Sequence, residues 1–418
     1  MLLPSVVGSP GRLPGKCGPE NTTLHPNPQS VAGSSLARRR RYGGELGSVA
    51  ATQDALYAEI DLELSWSEQQ LPERVRTKHV HRLHPYLGKF IPQLVEELFR
   101  RHVPRGGAVL DPFAGSGTTL VQGLESGLRP TGVDLAAFNC LLIGVKTAEY
   151  NLFRLEHDLR DVLGRMADAE PDAEPSEYVA SWFAPQAAHD LLSFRSLIGD
   201  YEHADVLRVI LARAARSARR TAHFDLDFPR TPQIEPYWCH KHRRECKPVE
   251  RADHFLRRYT LDTLTRLKEF ARLRGKADAV VIHGDSREVD LGGRFDAIVT
   301  SPPYPGLIDY HEQHRYAYEL LGLDDRRDLE LGAAARGTSR AAIAAYATGI
   351  SDVLSAVAPA LAPGAPVVIV VDDRRELYPA ILERSGLELV ERYRRHVNRR
   401  TGRRAGEFFE DVLVARVG

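Results

Sequence analysis

The sequence lacks the features that would place it in a membrane or among disulfide-rich secreted proteins. Its 418 residues contain four cysteines, which are too few for a disulfide framework in a chain of this length. No stretch approaches the roughly 18 apolar residues that span a bilayer. The first 30 residues have no charged start followed by a long apolar segment. We therefore expect a cytoplasmic protein with no membrane partner.

A net charge is also missing, because 56 basic residues balance 56 acidic ones. Two stretches depart locally from this balance. Residues 237–274 hold eleven Lys or Arg against five Asp or Glu, and residues 391–406 hold seven arginines against one Glu. More arginines lie earlier in the helical region, at Arg208, Arg213, Arg216, Arg219 and Arg220. We expect the basic regions to bind phosphates, with a solvated surface as the alternative.

Composition divides the chain into three parts. Residues 1–50 are rich in Pro, Gly, Ser and Asn and lack apolar periodicity, so we expect a disordered tail that includes the arginine run at 38–41. Residues 51–150 and 276–418 alternate between strand and helix patterns. Residues 151–275 read as a helical, basic insert. No internal repeat is found.

The alternating parts predict a doubly wound, mostly parallel sheet. A strand at 108–110 leads into a glycine turn and an apolar helix, and a second strand ends at Asp134. This order is the opening unit of a nucleotide-binding sheet. Further strand patterns follow at 279–282, 295–300 and 366–371, and the last two lie at 387–397 and 408–417.

The glycine turn after the first strand predicts a cofactor site. Gly115 and Gly117 permit positive φ and a close approach of ligand to backbone. The turn lacks the third glycine that cradles a pyrophosphate, which favours an adenosine cofactor without phosphates. Asp134 is placed to accept hydrogen bonds from a ribose diol. Asp285, after the third strand, is an acceptor for an adenine amino group or, alternatively, a helix cap.

The fourth strand ends in Ser301, Pro302, Pro303 and Tyr304. The two prolines remove backbone N–H groups and fix φ, which leaves carbonyls and the Ser hydroxyl as rigid acceptors for a planar amine. Tyr304 offers a face on which a base can stack. No Pro-Cys pair stands here, as methylation of a pyrimidine carbon would require. A proline-rich loop with a packing tyrosine is the alternative.

Two cysteines and two histidines lie within residues 239–246. Cys239, His240, His242 and Cys246 are ligand types that zinc accepts, but their spacing is compressed compared with paired zinc knuckles. We interpret the segment as a basic recognition loop and expect no metal.

Together the segments 111–119 and 301–304 resemble the S-adenosylmethionine-dependent amino-group DNA methyltransferases, which methylate cytosine N4 or adenine N6. The segment 84–92 is similar to the extra cofactor-binding motif of that family, and 361–364 also matches. The resemblance implies a class I methyltransferase-like sheet of seven strands, S-adenosylmethionine as cofactor and DNA as partner. It leaves a cognate restriction nuclease open as a second partner.

By the same resemblance, Ser in the first place of the tetrapeptide favours cytosine N4. Adenine N6, RNA and a non-catalytic DNA-binding protein are the alternatives. The resemblance makes the insert at 151–275 a candidate for target recognition. The expected catalytic residues are Ser301, Pro302, Pro303 and Tyr304. The expected cofactor-binding residues are Lys89, Phe90, Pro92, Asp111, Phe113, Gly115, Gly117, Thr118, Asp134 and Asp285. The expected nucleic-acid contacts are Arg243, Arg244, Arg399, Arg400 and Arg403.

Overall fold

A seven-stranded sheet organises the residues that the computed structural model describes, which are 61–67, 69–221, 231–239, 242–397 and 408–418. All of them belong to one unit that spans residues 51–418. The predicted tail at 1–50, with its arginine run, lies outside the described residues.

The sheet has the order β5-β2-β1-β6-β7-β9-β8, and a separate hairpin is formed by β3 and β4. All neighbours pair in parallel except at β9, which runs antiparallel to both β7 and β8. The predicted mostly parallel, seven-stranded sheet is therefore confirmed. The strands are β1 (Ala108–Asp111), β2 (Arg129–Asp134), β3 (Tyr237–Cys239), β4 (Arg244–Cys246), β5 (Val280–His283), β6 (Ala297–Thr300), β7 (Pro366–Val371), β8 (Leu387–His396) and β9 (Phe409–Val417).

Helices cover the sheet and fill the long connection between β2 and β5. In chain order they are α1 (Glu73–Arg76), α2 (Pro92–His102), α3 (Thr118–Glu125), α4 (Ala137–Thr147), α5 (Leu152–Arg165), α6 (Glu177–Trp182), α7 (Pro185–Leu197), α8 (Ala204–Ala218), α9 (Asp253–Ala271), α10 (Tyr310–Gln313), α11 (Arg315–Leu321), α12 (Arg340–Val357) and α13 (Tyr378–Arg384).

Alternation along the central strands sends side chains to both faces of the sheet. Leu110 and Ile298 pack with the residues of α12 and α13, whereas Val109 and Val299 pack with α2 on the opposite face. Because both faces are buried, the strands read as continuous apolar runs in the sequence. The result is a three-layer α/β arrangement whose open edge holds the carboxyl ends of the strands.

The helices of the insert share a hydrophobic core with helices next to the sheet. Side chains of α5 to α9 form one buried cluster with those of α3 and α4. Two insert arginines that were expected to bind phosphates lie inside this part of the protein. Arg219 is fully buried, with its guanidinium 4.9 Å from the centre of the Tyr316 ring. Arg213 pairs with Asp262 at 2.6 Å. The phosphate-binding expectation is wrong for both, because aromatic and acidic neighbours inside the chain occupy them.

One helix modifies the expectation about apolar stretches. The segment Arg340–Ala360 is long and apolar enough to cross a membrane by length and composition. Its residues Tyr346, Ile350, Leu354 and Val357 are buried against the sheet, which explains the apolar composition of a core helix.

Candidate functional site

A cavity lies at the carboxyl edge of the sheet, between β1, β2, β5 and β6. In a doubly wound sheet this edge is where ligands bind. The structure brings together most of the residues expected from the sequence. Those that line the cavity are Lys89, Phe90, Phe113, Gly115, Thr118, Asp134, Asp285, Ser301 and Pro303. Those that do not are Pro92, Asp111, Gly117, Pro302 and Tyr304.

The glycine turn forms one wall of the cavity. Gly115 has φ +51°, and a Cβ atom there would lie 3.1 Å from the hydroxyl oxygen of Tyr86. Gly117 has φ +77°, and its Cβ would lie 2.8 Å from Ile143. Both positions therefore require glycine, for backbone conformation and for space. Gly117 acts behind the wall, where it allows α3 to begin close to α4.

Asp134 ends β2 and faces the cavity. Its carboxylate accepts hydrogen bonds from the backbone N–H of Gly115 at 2.6 Å, the N–H of Ala136 at 2.8 Å and the amide of Asn139 at 3.0 Å. Burial raises the pKa of Asp134 to about 6, against these hydrogen bonds, which lower it. A carboxylate offers about four acceptor positions. One therefore remains for a ligand hydroxyl.

Asp285 also lines the cavity, but its carboxylate is already engaged. The Arg287 side chain donates to both oxygens, and the Arg287 backbone N–H donates at 3.0 Å. These hydrogen bonds hold the pKa of Asp285 below its ordinary value. The carboxylate is thus kept ionised, and in that form both of its oxygens can only accept hydrogen bonds.

Asp111 lies beneath the cavity and joins its parts. One oxygen accepts from the hydroxyl of Thr119 at 2.6 Å, and the other accepts from the hydroxyl of Thr300 at 2.6 Å. The side chain is fully buried, and burial raises its pKa to about 6. The structure thus places Asp111 between the glycine turn and the end of β6, without contact to the cavity.

The segment before α2 contributes one edge of the site. Phe90 and Lys89 line the cavity, whereas Pro92 opens α2, where its missing N–H is not needed. The ammonium of Lys89 donates to the backbone carbonyl of His81 at 2.8 Å. Burial lowers its pKa to about 8. Lys89 therefore anchors this segment to the chain beside it.

The tetrapeptide follows β6 directly. Ser301 and Pro303 line the cavity, and Pro302 is buried behind them. The hydroxyl of Tyr304 donates to Glu410 of β9 at 3.1 Å. Burial raises the pKa of Tyr304 well above its ordinary value. The hydrogen bond to Glu410 thus holds the tyrosine next to Ser301 and Pro303, which line the cavity.

Two residues of the site, Glu330 and Tyr310, were not anticipated as functional, whereas His311 was a candidate for the base pocket, with a helix-surface role as the alternative. Glu330 accepts hydrogen bonds from the backbone N–H of Tyr310 at 2.6 Å and from the Nδ1 atom of His311 at 3.0 Å, and all three line the cavity. The ring of Tyr310 stacks on Tyr86, with centroids 5.4 Å apart. The His-rich pattern after the tetrapeptide was a signal for His311. Glu330 lies in an irregular segment without a recognisable motif.

The polar groups that line the cavity suit S-adenosylmethionine. Ser116, Asn139 and His311 line it, and each has a buried polar atom without a hydrogen-bond partner among the described residues: Oγ, Oδ1 and Nε2. Buried polar atoms are normally paired, so such atoms point to a ligand that pairs with them. The cofactor carries ribose hydroxyls, an adenine amino group, an amine and a carboxylate. The residues that would hold it are Phe90, Gly115, Ser116, Asp134, Asn139 and Asp285.

Only two of the five predicted nucleic-acid contacts lie among the residues that the structure describes. Arg243 and Arg244 are exposed at the hairpin of β3 and β4. Arg399, Arg400 and Arg403 lie outside the described residues. Two arginines just before them are engaged within the protein. Arg392 pairs with Glu376 at 3.0 Å and Asp411 at 3.1 Å, and the buried Arg395 pairs with Glu410 at 2.8 Å. The expectation that this stretch binds phosphates is wrong for Arg395, because this arginine is buried against an acidic side chain of the fold. For the exposed Arg392 it stays a prediction.

Comparison with known proteins gives the family. No family model matches the chain. The type II methyltransferase M.MjaII of Methanocaldococcus jannaschii is 34% identical over 448 aligned positions, which cover 86% of this chain and 84% of the relative. The type II methyltransferase M.MvaI of Kocuria varians is 24% identical over an alignment that covers 54% of this chain and 53% of the relative. A solved rRNA methyltransferase, aviRa of Streptomyces viridochromogenes, aligns at 14% identity over 80% of this chain and 89% of its own with a TM-score of 0.32, which is too low to support an argument. The chain belongs to the type II methyltransferases, and S-adenosylmethionine is its cofactor.

Proposed function

We propose that the chain is a site-specific DNA methyltransferase that methylates the exocyclic amino group of a flipped base, with cytosine N4 as the target. One observation carries the proposal. Ser301 and Pro303 of the tetrapeptide line the same cavity as Gly115 and Asp134 of the cofactor side. The target amine, held by the tetrapeptide, and the methyl group of the cofactor can therefore meet at one edge of the sheet.

The chemistry asks little of the protein beyond position and hydrogen bonding. S-adenosylmethionine supplies a methyl group on a positively charged sulfur. The amine nitrogen would take this methyl group as the carbon–sulfur bond breaks and leaves its electron pair on sulfur, and the amine proton would pass to solvent. The Ser301 hydroxyl and the carbonyls of Ser301 and Pro302 accept the amine hydrogens, which directs the nitrogen lone pair at the methyl carbon. Fixed alignment of this kind accounts for much of an enzyme's acceleration.

Tyr304 has a position beside the base rather than the cofactor. It does not line the cofactor cavity, and its hydroxyl is bonded to Glu410. A base held beyond Ser301 would meet the tyrosine ring, where stacking contributes about 1–3 kcal/mol. The Glu410 bond fixes the ring plane and so prepares the surface for the base.

DNA is the substrate favoured by the relatives and by the geometry. The amino group of a paired base cannot reach a cavity at a sheet edge, so the nucleotide must leave the helix at a free-energy cost of a few kcal/mol. Exposed Arg243 and Arg244 are available for phosphates, and the relatives carry the designation of type II methyltransferases. The Ser at position 301 supports cytosine over adenine. A cognate nuclease would be the natural partner of such an enzyme.

Transfer of tritium from labelled cofactor tests the proposal directly. The full chain is incubated with unmethylated genomic DNA, with RNA, or with neither, and the products are digested to nucleosides. We expect label in N4-methyldeoxycytidine from DNA and none from RNA. Label in N6-methyldeoxyadenosine would overturn the choice of base. Label only in RNA would overturn DNA as substrate. Cofactor binding without label on any nucleic acid would overturn the function as a whole.

A further inference from the structure

A cluster of metal-binding side chains lies on the β3–β4 hairpin, outside the cofactor cavity. The sulfur atoms of Cys239 and Cys246 and a ring nitrogen of His242 all lie within 4.8 Å of one another. The Nδ1 atom of His242 is 3.4 Å from the sulfur of Cys246. Among the described residues, no other group of three or more ligand-type side chains meets at such distances.

The pairing of the hairpin explains why the two cysteines meet. Cys239 pairs with Arg244, and Cys246 pairs with Tyr237. Because side chains alternate along a strand, Arg244 and Cys246 share a face, and Cys239 lies on that same face as a diagonal neighbour of Cys246. His242 reaches them from the turn, where Arg243 has φ +51°. A left-handed residue reverses the chain direction tightly at this point.

The donor set and the distances suit zinc. Tetrahedral zinc with sulfur at about 2.3 Å and nitrogen at about 2.0–2.1 Å places its ligand atoms roughly 3.5–4 Å apart. A contraction of at most about 1.3 Å would bring the three atoms to that geometry. Two thiolates and an imidazole are ligands that select zinc over magnesium or calcium, which prefer oxygen.

The hairpin also needs a source of stability. Each strand has three residues, and an isolated two-stranded hairpin is marginal in water. Trp238 is 59% exposed and so contributes little apolar burial, whereas Cys239 is only 4% exposed. A metal ion supplies folding free energy where the hydrophobic core is too small. The buried thiol at the centre of this small element is where such an ion would act.

We propose that Cys239, His242 and Cys246 bind a zinc ion that holds the β3–β4 hairpin in shape, with a fourth ligand from outside these three. The proposal departs from the expectation of incidental thiols, because ligands at compressed spacing in the sequence can still converge when a hairpin folds the segment back on itself. Arg243 and Arg244 then stand on a fixed turn. Their contact with DNA rests on the proposed function, whereas the metal site does not.

Metal content of the purified full chain tests the site. The protein is prepared without a histidine tag and in a thiol-free reductant, and its zinc is measured by mass spectrometry. We expect about one zinc per chain in the wild type. The variants Cys239→Ser, His242→Ala and Cys246→Ser should each lose most of this zinc. The matched control is Cys140→Ser, which changes a cysteine next to Asp134 and outside the cluster and should keep the zinc. Substitution of cobalt for zinc should give the absorption bands of thiolate-bound cobalt in the wild type and the control only.

A second measurement keeps the test valid if the variants fold poorly. Zinc is removed from the wild-type protein with a chelator, and trypsin cleavage after Arg243, Arg244 and Lys247 is followed with and without added zinc. We expect faster cleavage without zinc and its reversal on adding zinc, with cofactor binding unchanged. Absence of zinc from the wild type, zinc retained in all three ligand variants, or a disulfide between Cys239 and Cys246 in freshly isolated protein would each overturn the proposal.

Discussion

Thr300 and Asp111 are 189 residues apart in the chain and share a 2.6 Å hydrogen bond in the core. Thr300 is the last residue of β6 before the tetrapeptide, and Asp111 is the last residue of β1 before the glycine turn. The bond therefore fixes the distance between the two halves of the site. It is buried, and the same carboxylate also accepts from Thr119.

Thr300→Val tests how much the hydrogen bond between Thr300 and Asp111 contributes to stability. The substitution keeps the shape of the side chain and removes one donor from a buried carboxylate, so we expect the free energy of unfolding to fall by about 1–3 kcal/mol. Urea unfolding measures it. Thr260→Val is the matched control, since Thr260 is equally buried but donates to a carbonyl of its own helix. A loss as large in the control would show that the effect is not specific to the Asp111 link.

Cofactor affinity should weaken as the pH is lowered through about 6. Burial raises the pKa of Asp134 to about 6, so below that value its carboxylate takes up a proton and loses an acceptor for a ribose hydroxyl. If binding requires the ionised form, the dissociation constant should rise up to about tenfold per pH unit below 6. Isothermal titration calorimetry measures this slope.

Controls separate Asp134 from Asp111, whose pKa is also raised by burial to about 6. Asp134→Asn should bind the cofactor weakly with a flat pH profile, and Asp111→Asn should keep the slope. If only Asp111→Asn gave a flat profile, the titrating group would be Asp111, and the assignment to Asp134 would be wrong. For stability the sign is opposite to the binding effect: the folded protein holds these protons more tightly than the unfolded chain. Their contribution to the unfolding free energy therefore falls as the pH rises from about 4 to about 6.

The tetrapeptide should affect turnover more than cofactor binding. Ser301→Ala removes one acceptor for the amine, and we expect kcat to fall by about 10²–10³, the effect of losing one hydrogen bond to the reacting group. Tyr304→Ala should lower activity by about 10–100-fold because the base no longer stacks on the ring. Tyr304→Phe removes only the bond to Glu410 and should be the mildest. Steady-state kinetics with separate titration of the cofactor tests this order. An unchanged kcat in both alanine variants would contradict the assignment.

Gly115→Ala should damage cofactor binding through two separate effects. Its φ of +51° is unfavourable for alanine, and the added Cβ would lie 3.1 Å from the Tyr86 hydroxyl oxygen. Left-handed backbone alone costs about 1–2 kcal/mol. Gly127→Ala is the control for that part, since Gly127 has φ +69° and its Cβ would meet nothing within 4 Å. It should lower stability and leave cofactor affinity unchanged.

The double variant Gly115→Ala with Tyr86→Phe measures the second effect, the close approach of the added Cβ to the Tyr86 hydroxyl. Removal of the hydroxyl relieves the close approach and leaves the backbone strain, so cofactor affinity should recover in part. No recovery, with Tyr86→Phe alone close to wild type, would show that the proximity of Tyr86 is not what makes glycine necessary.

Arg243 and Arg244 should contribute to DNA affinity through charge. Neutralising both with Gln should weaken binding alike for specific and unrelated sequences. It should also reduce the slope of log affinity against log salt by about 1 for each phosphate that the protein no longer neutralises. Fluorescence anisotropy at several salt concentrations measures the slope. Arg105→Gln is the control, because this exposed arginine precedes β1 at the edge opposite the cavity. An equal change in the control would indicate a non-specific charge effect.

The sequence is informative where the structure is local. The strands, the glycine turn and Asp134 could be predicted because apolar runs, glycines and acidic strand ends leave signals within a few residues. The cavity residue Glu330 left none, because its role arises from hydrogen bonds to Tyr310 and His311, 20 and 19 residues earlier in the chain.

Charge was the least reliable local signal. Arg213, Arg219 and Arg395 have the sequence surroundings of surface arginines, yet each lies against an acidic or aromatic partner contributed by another element. A count of charges in one segment cannot include partners from elsewhere. The hairpin cluster shows the same limit in the other direction, since Cys239 and Cys246 converge only after the strands pair.

Pairing of β1 with β6 also bears on how fast the protein folds. The loop between them contains the whole helical insert, and entropy opposes the closure of so long a loop before any interaction across it forms. Sheets built from such distant strands fold slowly and expose unpaired edges meanwhile. The two halves of the site therefore come together late. A refolding experiment should show helix formation well before cofactor binding, and added cofactor should raise the yield of folded protein by capturing the closed sheet.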